Sequence, residues 1–134
     1  YDPTQKGNEH YAMYGRPFGK SLCHAWGANP VYLFGKYYLG VKPLTPGYSS
    51  YLVEPSLAGL AWIKGTVPTP DGDIEIYADK KQIQVKTAGG AGFLRLHSRK
   101  KPVAGKTDIV RQIGENYYEI ALNVPDKEYS VRYW

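Results

Sequence analysis

Apolar and polar residues follow two different periods along this chain, and the change falls at Gly40. Before it, residues 22–39 carry apolar side chains at helical spacing. Leu22, Trp26, Leu33 and Tyr37 fall on one face, and Cys23, Phe34 and Tyr38 on another. An apolar surface this wide implies burial against several neighbours. Ser21 suits the N-cap and Gly40 the C-cap. Asn29-Pro30 should kink the helix, because proline removes a hydrogen bond and crowds the preceding turn. Residues 1–19 hold Pro3, Gly7, Gly15, Pro17 and Gly19, the punctuation of a loop.

After Gly40 the period shortens to that of strands. Residues 41–47 are proline-rich and read as a connection. Short runs of β-type residues follow at 48–53, 60–67, 74–78, 82–87, 93–97, 108–112, 117–123 and 129–134. Ile74, Ile76 and Ala78 alternate against Glu75 and Tyr77, and Ile83, Val85 and Thr87 share one face. Asp71-Gly72 signals a hairpin ahead of 74–78, with positive φ angles supplied by the Asp-Gly pair. Residues 88–92 form a glycine-rich turn. About eight short strands at this spacing predict a mainly β fold, an antiparallel β-sandwich or a barrel, with the sandwich preferred, preceded by one long kinked helix. The expected organisation is a terminal loop and helix over 1–40, a linker over 41–47 and a sandwich over 48–134. No repeat of solenoid or propeller type is present.

Composition narrows the function classes. A length of 134 residues is enough for one domain with a core, and 22% charged against 43% hydrophobic residues excludes a disordered chain. The net charge of +5 is spread along the chain except at Arg99-Lys100-Lys101. That run lies beside Pro102 and Gly105, the composition of a solvated loop. The competing reading is a surface for an acidic polymer. No nucleic-acid motif accompanies the run, and nucleic acid is not an expected partner. No apolar run approaches the roughly 20 residues of a membrane span. Cys23 is the only cysteine, so no internal disulfide forms and the compartment is not revealed. Tyr1-Asp2-Pro3 reads as the middle of a longer protein.

The candidate chemistry is sparse. His24 titrates near neutrality and can move a proton or orient a polar ligand. Trp26 beside it offers an apolar face to a sugar ring. Both are equally at home in a helix core. Glu9-His10 sits in a loop, where functional groups concentrate, and Glu9 is a weaker candidate for substrate contact. Asp71 and Asp73 are explained by turn chemistry. The three histidines are scattered and no Cys/His/carboxylate cluster has ligand spacing, so no metal is expected. Gly89-Gly90-Ala91-Gly92 lacks the Lys-Ser/Thr ending of a phosphate loop, and no cofactor is expected. Cys23 has no evident activating partner.

Three stretches in combination carry a resemblance. They are Ser21-Leu22-Cys23-His24-Ala25-Trp26, then Leu39-Gly40-Val41-Lys42-Pro43 with Pro46-Gly47-Tyr48, then the run from Lys64-Gly65-Thr66-Val67-Pro68 through Thr69-Pro70-Asp71-Gly72-Asp73 to Ile74-Glu75. Over residues 10–98 the chain resembles the C-terminal part of bacterial α-L-rhamnosidases of glycoside hydrolase family 78. The resemblance implies that residues 1–40 are the last loop and helix of an α/α barrel and that the sandwich follows. It also supplies partners for the over-apolar helix, namely the other helices of an N-terminal catalytic barrel.

The same resemblance implies an inverting mechanism, in which one carboxylic acid protonates the leaving oxygen and a second carboxylate activates water. His24 takes the position of an active-site histidine that contacts sugar or water. The general base of the family follows a tryptophan, upstream of that histidine. No Trp-Glu pair occurs here, and Glu9 follows Asn8, so the resemblance places the base before Tyr1 and the acid further still. This chain by itself is then expected to be inactive, as a support for the barrel. The implied substrate is a rhamnose-containing glycan, and the implied location is the bacterial periplasm or exterior. The alternative function is a free-standing carbohydrate-binding module, with Tyr48, Tyr51, Trp62, Tyr77, Tyr117 and Tyr118 as its sugar platform. Exposure discriminates the two, because a platform needs two or three coplanar aromatics in solvent.

Overall fold

The computed structural model describes residues 27, 29–87 and 89–134. The chain divides into two units, Tyr1–Pro30 and Val31–Trp134. The second is a two-sheet β-sandwich. Its core is one contiguous cluster drawn from both sheets, including Val53, Leu94, Ile120 and Leu122 from one and Ile74, Ile76, Val85 and Val131 from the other.

A short helix α1, Asn29–Leu33, opens the described helical segment, with Pro30 in its first turn, where a missing N–H costs nothing. It runs into a π-helical turn, Phe34–Tyr38, closed by the Leu39 N–H donating to Phe34 O at 3.0 Å. Gly40 ends the segment at φ +74°, as a helix stop requires. The expected helical stretch before Asn29 lies outside the described residues, apart from Gly27. Within the described part the apolar residues are left uncovered: Val31 is 77% exposed, and Tyr32, Leu33, Phe34 and Tyr37 are exposed as well. Leu39 alone turns inward, against Gly65.

Nine strands follow: β1 Val41–Pro43, β2 Ser50–Val53, β3 Trp62–Thr69, β4 Gly72–Asp79, β5 Gln82–Thr87, β6 Ala91–His97, β7 Val110–Gly114, β8 Tyr117–Leu122 and β9 Glu128–Arg132. One sheet has the order β1-β2-β6-β8-β7 and the other β3-β4-β5-β9. The alternation read from sequence holds: Ile74, Ile76 and Ala78 of β4 and Ile83, Val85 and Thr87 of β5 all face the core. Eight strands were expected from the pattern, and the ninth is β1.

Three local expectations differ from the structure. The stretch 41–47, read as a connection, begins with β1, which pairs antiparallel with β2 from Val41↔Val53 to Pro43↔Tyr51. Proline is tolerated there because β1 is an edge strand. The sandwich is also not wholly antiparallel. β2 and β6 pair in parallel, from Ser50↔Ala91 to Val53↔Leu94. Between them the chain builds three strands of the other sheet, and a crossover of that length is what a parallel pair needs. Finally, the β3–β4 turn is centred on Pro70-Asp71, between the paired Thr69 and Gly72. Only Gly72 has a positive φ, +113°, and Thr69 Oγ1 donates to Gly72 O at 2.6 Å. Pro70 suits the second position of a turn with negative φ, so the hairpin does not use Asp-Gly as its central pair.

Candidate functional site

The candidate residues His24, Trp26 and Glu9 lie outside the described residues, as do His10 and Cys23. The six aromatics of the alternative reading are described, and the fold scatters them. Tyr51 and Tyr118 are core residues, 1% and 6% exposed. Tyr48 is partly buried against the core. Tyr117 lies on the first sheet, exposed, with its ring edge-on to His97 at 5.2 Å. Only Trp62 and Tyr77 share a surface, the outer face of the β3-β4-β5-β9 sheet.

Strand register builds that face in rows. Thr66, Glu75, Lys86 and Glu128 stand side by side across the four strands, and Lys64, Tyr77, Gln84 and Ser130 form the next row. Trp62, opposite Asp79, begins the row after. Side chains at these positions point away from the core because their neighbours along each strand point into it. Between the first two rows runs a shallow groove of about 230 Å³, lined by Lys64, Thr66, Glu75, Tyr77, Gln84 and Lys86 among others. Trp62, 59% exposed, is diagonal to Tyr77. The sequence alternation of β4 placed Glu75 and Tyr77 outward, but only the pairing register reveals which side chains of β3 and β5 join them.

Asp79 organises one end of this face. Its Oδ1 accepts from the Lys81 N–H at 2.7 Å and the Gln82 N–H at 3.0 Å, and its Oδ2 accepts from Tyr77 Oη at 2.9 Å and Gln82 Nε2 at 3.2 Å. The Lys81 amide, foremost among these donors, holds the Asp79 carboxyl below its ordinary range. The bond to the same carboxylate raises the Tyr77 phenol. Tyr133 donates to Asp79 O at 2.5 Å, and burial raises its phenol. Burial likewise raises Tyr51, whose hydroxyl donates to Gly89 O. Lys36 is raised by its contact with Tyr32. Each of these groups moves away from neutrality, the opposite of what a general acid or base needs. Glu75 and Lys86 are solvated and 3.9 Å apart, an ion pair of little energetic weight.

Among the described residues no group of His, Cys, Asp and Glu is arranged to hold a metal ion. No helix among them is long and apolar enough to cross a membrane. Asp71 lies in the β3–β4 turn without the positive φ that its turn reading gave it, and Asp73 lies in β4 opposite Pro68. Arg99-Lys100-Lys101 occupies the exposed loop after β6. The described part is thus a sandwich whose hydrogen-bonding outer face carries the exposed Trp62 and the partly exposed Tyr77.

Comparison with known proteins finds relatives over part of that domain. Residues 40–88 match the bacterial alpha-L-rhamnosidase C-terminal domain. An alpha-L-rhamnosidase of Alteromonas sp. (strain LOR) is 44% identical over 39 residues, which are 28% of this chain and 4% of that protein. The fold resembles that of a Streptomyces avermitilis alpha-L-rhamnosidase, solved in complex with L-rhamnose, with a TM-score of 0.67 at 8% identity over 82% of this chain and 11% of that one. It also resembles an alpha-L-rhamnosidase from Dictyoglumus thermophilum, with a TM-score of 0.59 at 19% identity over 74% of this chain and 12% of that one. The chain therefore spans a small fraction of the length of each relative. Its likeness to the C-terminal portion of bacterial α-L-rhamnosidases, first read from three sequence stretches, is shown by these matches.

Proposed function

We propose that this chain is the C-terminal portion of a larger glycoside hydrolase acting on α-L-rhamnosides. Residues 1–40 close its catalytic α/α barrel and the sandwich braces that barrel from outside. His24 lines the active site, where it contacts the sugar or the attacking water. Trp26 and Glu9 are secondary candidates for substrate contact. The general acid and base are contributed by the barrel, and hydrolysis proceeds with inversion. The observation that carries this reading is the match of residues 40–88, the very stretch where the helical segment passes into the sandwich. The exposed apolar residues Val31, Tyr32, Phe34 and Tyr37 support it, since they are a surface that barrel helices would cover.

The test is the coding sequence upstream of Tyr1. The reading requires a run of helical hairpins ending in a Trp-Glu pair roughly two dozen residues before His24, to supply the base. An unrelated domain there would remove His24 from any active site. A free-standing carbohydrate-binding module would then rest on Trp62 and Tyr77 alone, because Tyr51 and Tyr118 are spent on the core.

A further inference from the structure

Three segments far apart in sequence meet around the end of β9. The Tyr133 N–H donates to Lys81 O at 3.0 Å, tying β9 to the β4–β5 turn. On the other side, the Arg99 N–H donates to Trp134 O at 2.8 Å. Val103 and Arg132 exchange two backbone bonds, of 2.9 and 2.8 Å. Each segment brings exposed cations: Lys80 and Lys81 from the turn, Arg99, Lys100 and Lys101 from the loop, and Arg132 from β9. Each outer segment lies about 4.8 Å from β9 and so about 10 Å from the other, close to the roughly 8 Å screening length of physiological salt, so neighbouring cations reinforce one another across β9.

Among the described residues no ion pair ties them up. The ion pairs there are Lys42–Glu54, Lys86–Glu75, Arg95–Glu119 and Lys127–Asp108, and none of the six cations takes part. The acids within the three segments are Asp79, whose two oxygens already accept four hydrogen bonds, and Asp108, which pairs with Lys127. At the centre stands Trp134, 55% exposed, with its backbone tied to Ser98: the Trp134 N–H donates to Ser98 Oγ at 3.0 Å. An indole offers a sugar ring an apolar face, and the cations offer partners to its anionic substituents.

We propose that the β4–β5 turn, the loop after β6 and the end of β9 form a binding surface for an acidic polysaccharide, one bearing carboxylate or sulfate groups. The preference for a sugar polymer over a nucleic acid rests on the glycosidase reading; the cation cluster does not. The surface would hold a charged glycan near the enzyme while the barrel acts on it.

The test measures binding of the whole 134-residue chain to polygalacturonate, dextran sulfate, neutral dextran and a single-stranded DNA oligomer. It reads no hydrolysis, so its outcome is independent of whether the barrel reading stands. The two acidic glycans are expected to bind and neutral dextran not to, with affinity falling about tenfold or more between about 50 and about 200 mM salt. Arg99→Ser/Lys100→Ser/Lys101→Ser and, separately, Lys80→Ser/Lys81→Ser should each weaken binding about tenfold. A control removing two cations elsewhere, Lys36→Ser/Arg111→Ser, should change it by less than about twofold. The side chains substituted at the proposed surface are all exposed, and their loss should leave the thermal unfolding midpoint unchanged within about 2 °C. Equal loss in the control would reduce the effect to net charge and overturn the site. DNA binding as tight as glycan binding, or no glycan binding, would overturn the assigned ligand.

Discussion

The ring of Tyr51 lies over Gly92, its partner in the parallel β2–β6 pair, at a distance that leaves no room for a β-carbon. The phenol continues past it to Gly89, where the hydroxyl donates to the carbonyl oxygen at 3.3 Å. The glycines of this segment thus serve a side chain buried to 1% exposure rather than a phosphate. Gly92→Ala should cost about 2 kcal/mol through overpacking and lower the melting temperature by about 10 °C. Gly114→Ala is the control, because its β-carbon would meet only Tyr117 at ordinary contact distances. Thermal denaturation of the two variants compares them directly, and equal midpoints would contradict the packing described.

Leu39 and Gly65 form a second such pair. A β-carbon at Gly65 would come within 2.8 Å of Leu39 Cδ1. Leu39 is the one residue of the helical segment that anchors to the sandwich core. Gly65→Val should therefore unseat the helical segment while β3 stays paired. Amide hydrogen exchange would report faster exchange at the Leu39 N–H with little change at Ile76.

Ser98 is fully buried and fixes the residues around the basic loop. Its hydroxyl donates to Lys100 O at 2.6 Å, approaches Trp134 O at 3.1 Å, and accepts from the Trp134 N–H. Ser98→Ala should destabilise the fold by about 1–3 kcal/mol, the cost of stranding buried polar groups. Urea denaturation gives the magnitude. Because Trp134 and Lys100 lose their common tether, acidic-glycan binding should weaken in the same variant.

The pH dependence follows from Asp79. Its folded-state carboxyl is lower than in the unfolded chain, chiefly through the Lys81 amide. Its stabilising effect is present in full above the ordinary carboxylate range, about pH 4, and is lost as pH falls through the depressed folded value. Asp79→Asn should flatten that part of the acid limb while lowering stability at neutral pH. Denaturation series at neutral pH and below about pH 4 test both effects, and an unchanged acid limb would remove Asp79 from the account.

How far the sequence foretold this structure depends on the range of the interaction concerned. The alternation in β4 and β5 was legible because burial there is a local, period-two property. β1 was not, because Pro43 hides an edge strand whose pairing with Tyr51 depends on distant residues. The parallel β2–β6 pair was equally hidden, since the choice of neighbour is made across the whole second sheet. Asp71-Gly72 marked the hairpin correctly but not its centre, which Pro70 sets with its fixed φ. The six cations could be counted in sequence, and only their convergence on β9 needed the fold. The helical spacing of Leu33, Phe34 and Tyr37 was read as an apolar face for partners outside this chain, and in the described unit these residues face solvent.

The central claim is that this chain completes a glycosidase with His24 in the active site. The measurement that tests it most directly is hydrolysis of an aryl α-L-rhamnoside by the full-length protein and by its His24→Ala variant. The account predicts that the full-length protein is active and that the variant loses about a hundredfold or more in kcat with the fold intact. The chain alone should be inactive. A variant as active as its parent, or a full-length protein inert toward rhamnosides, would contradict it.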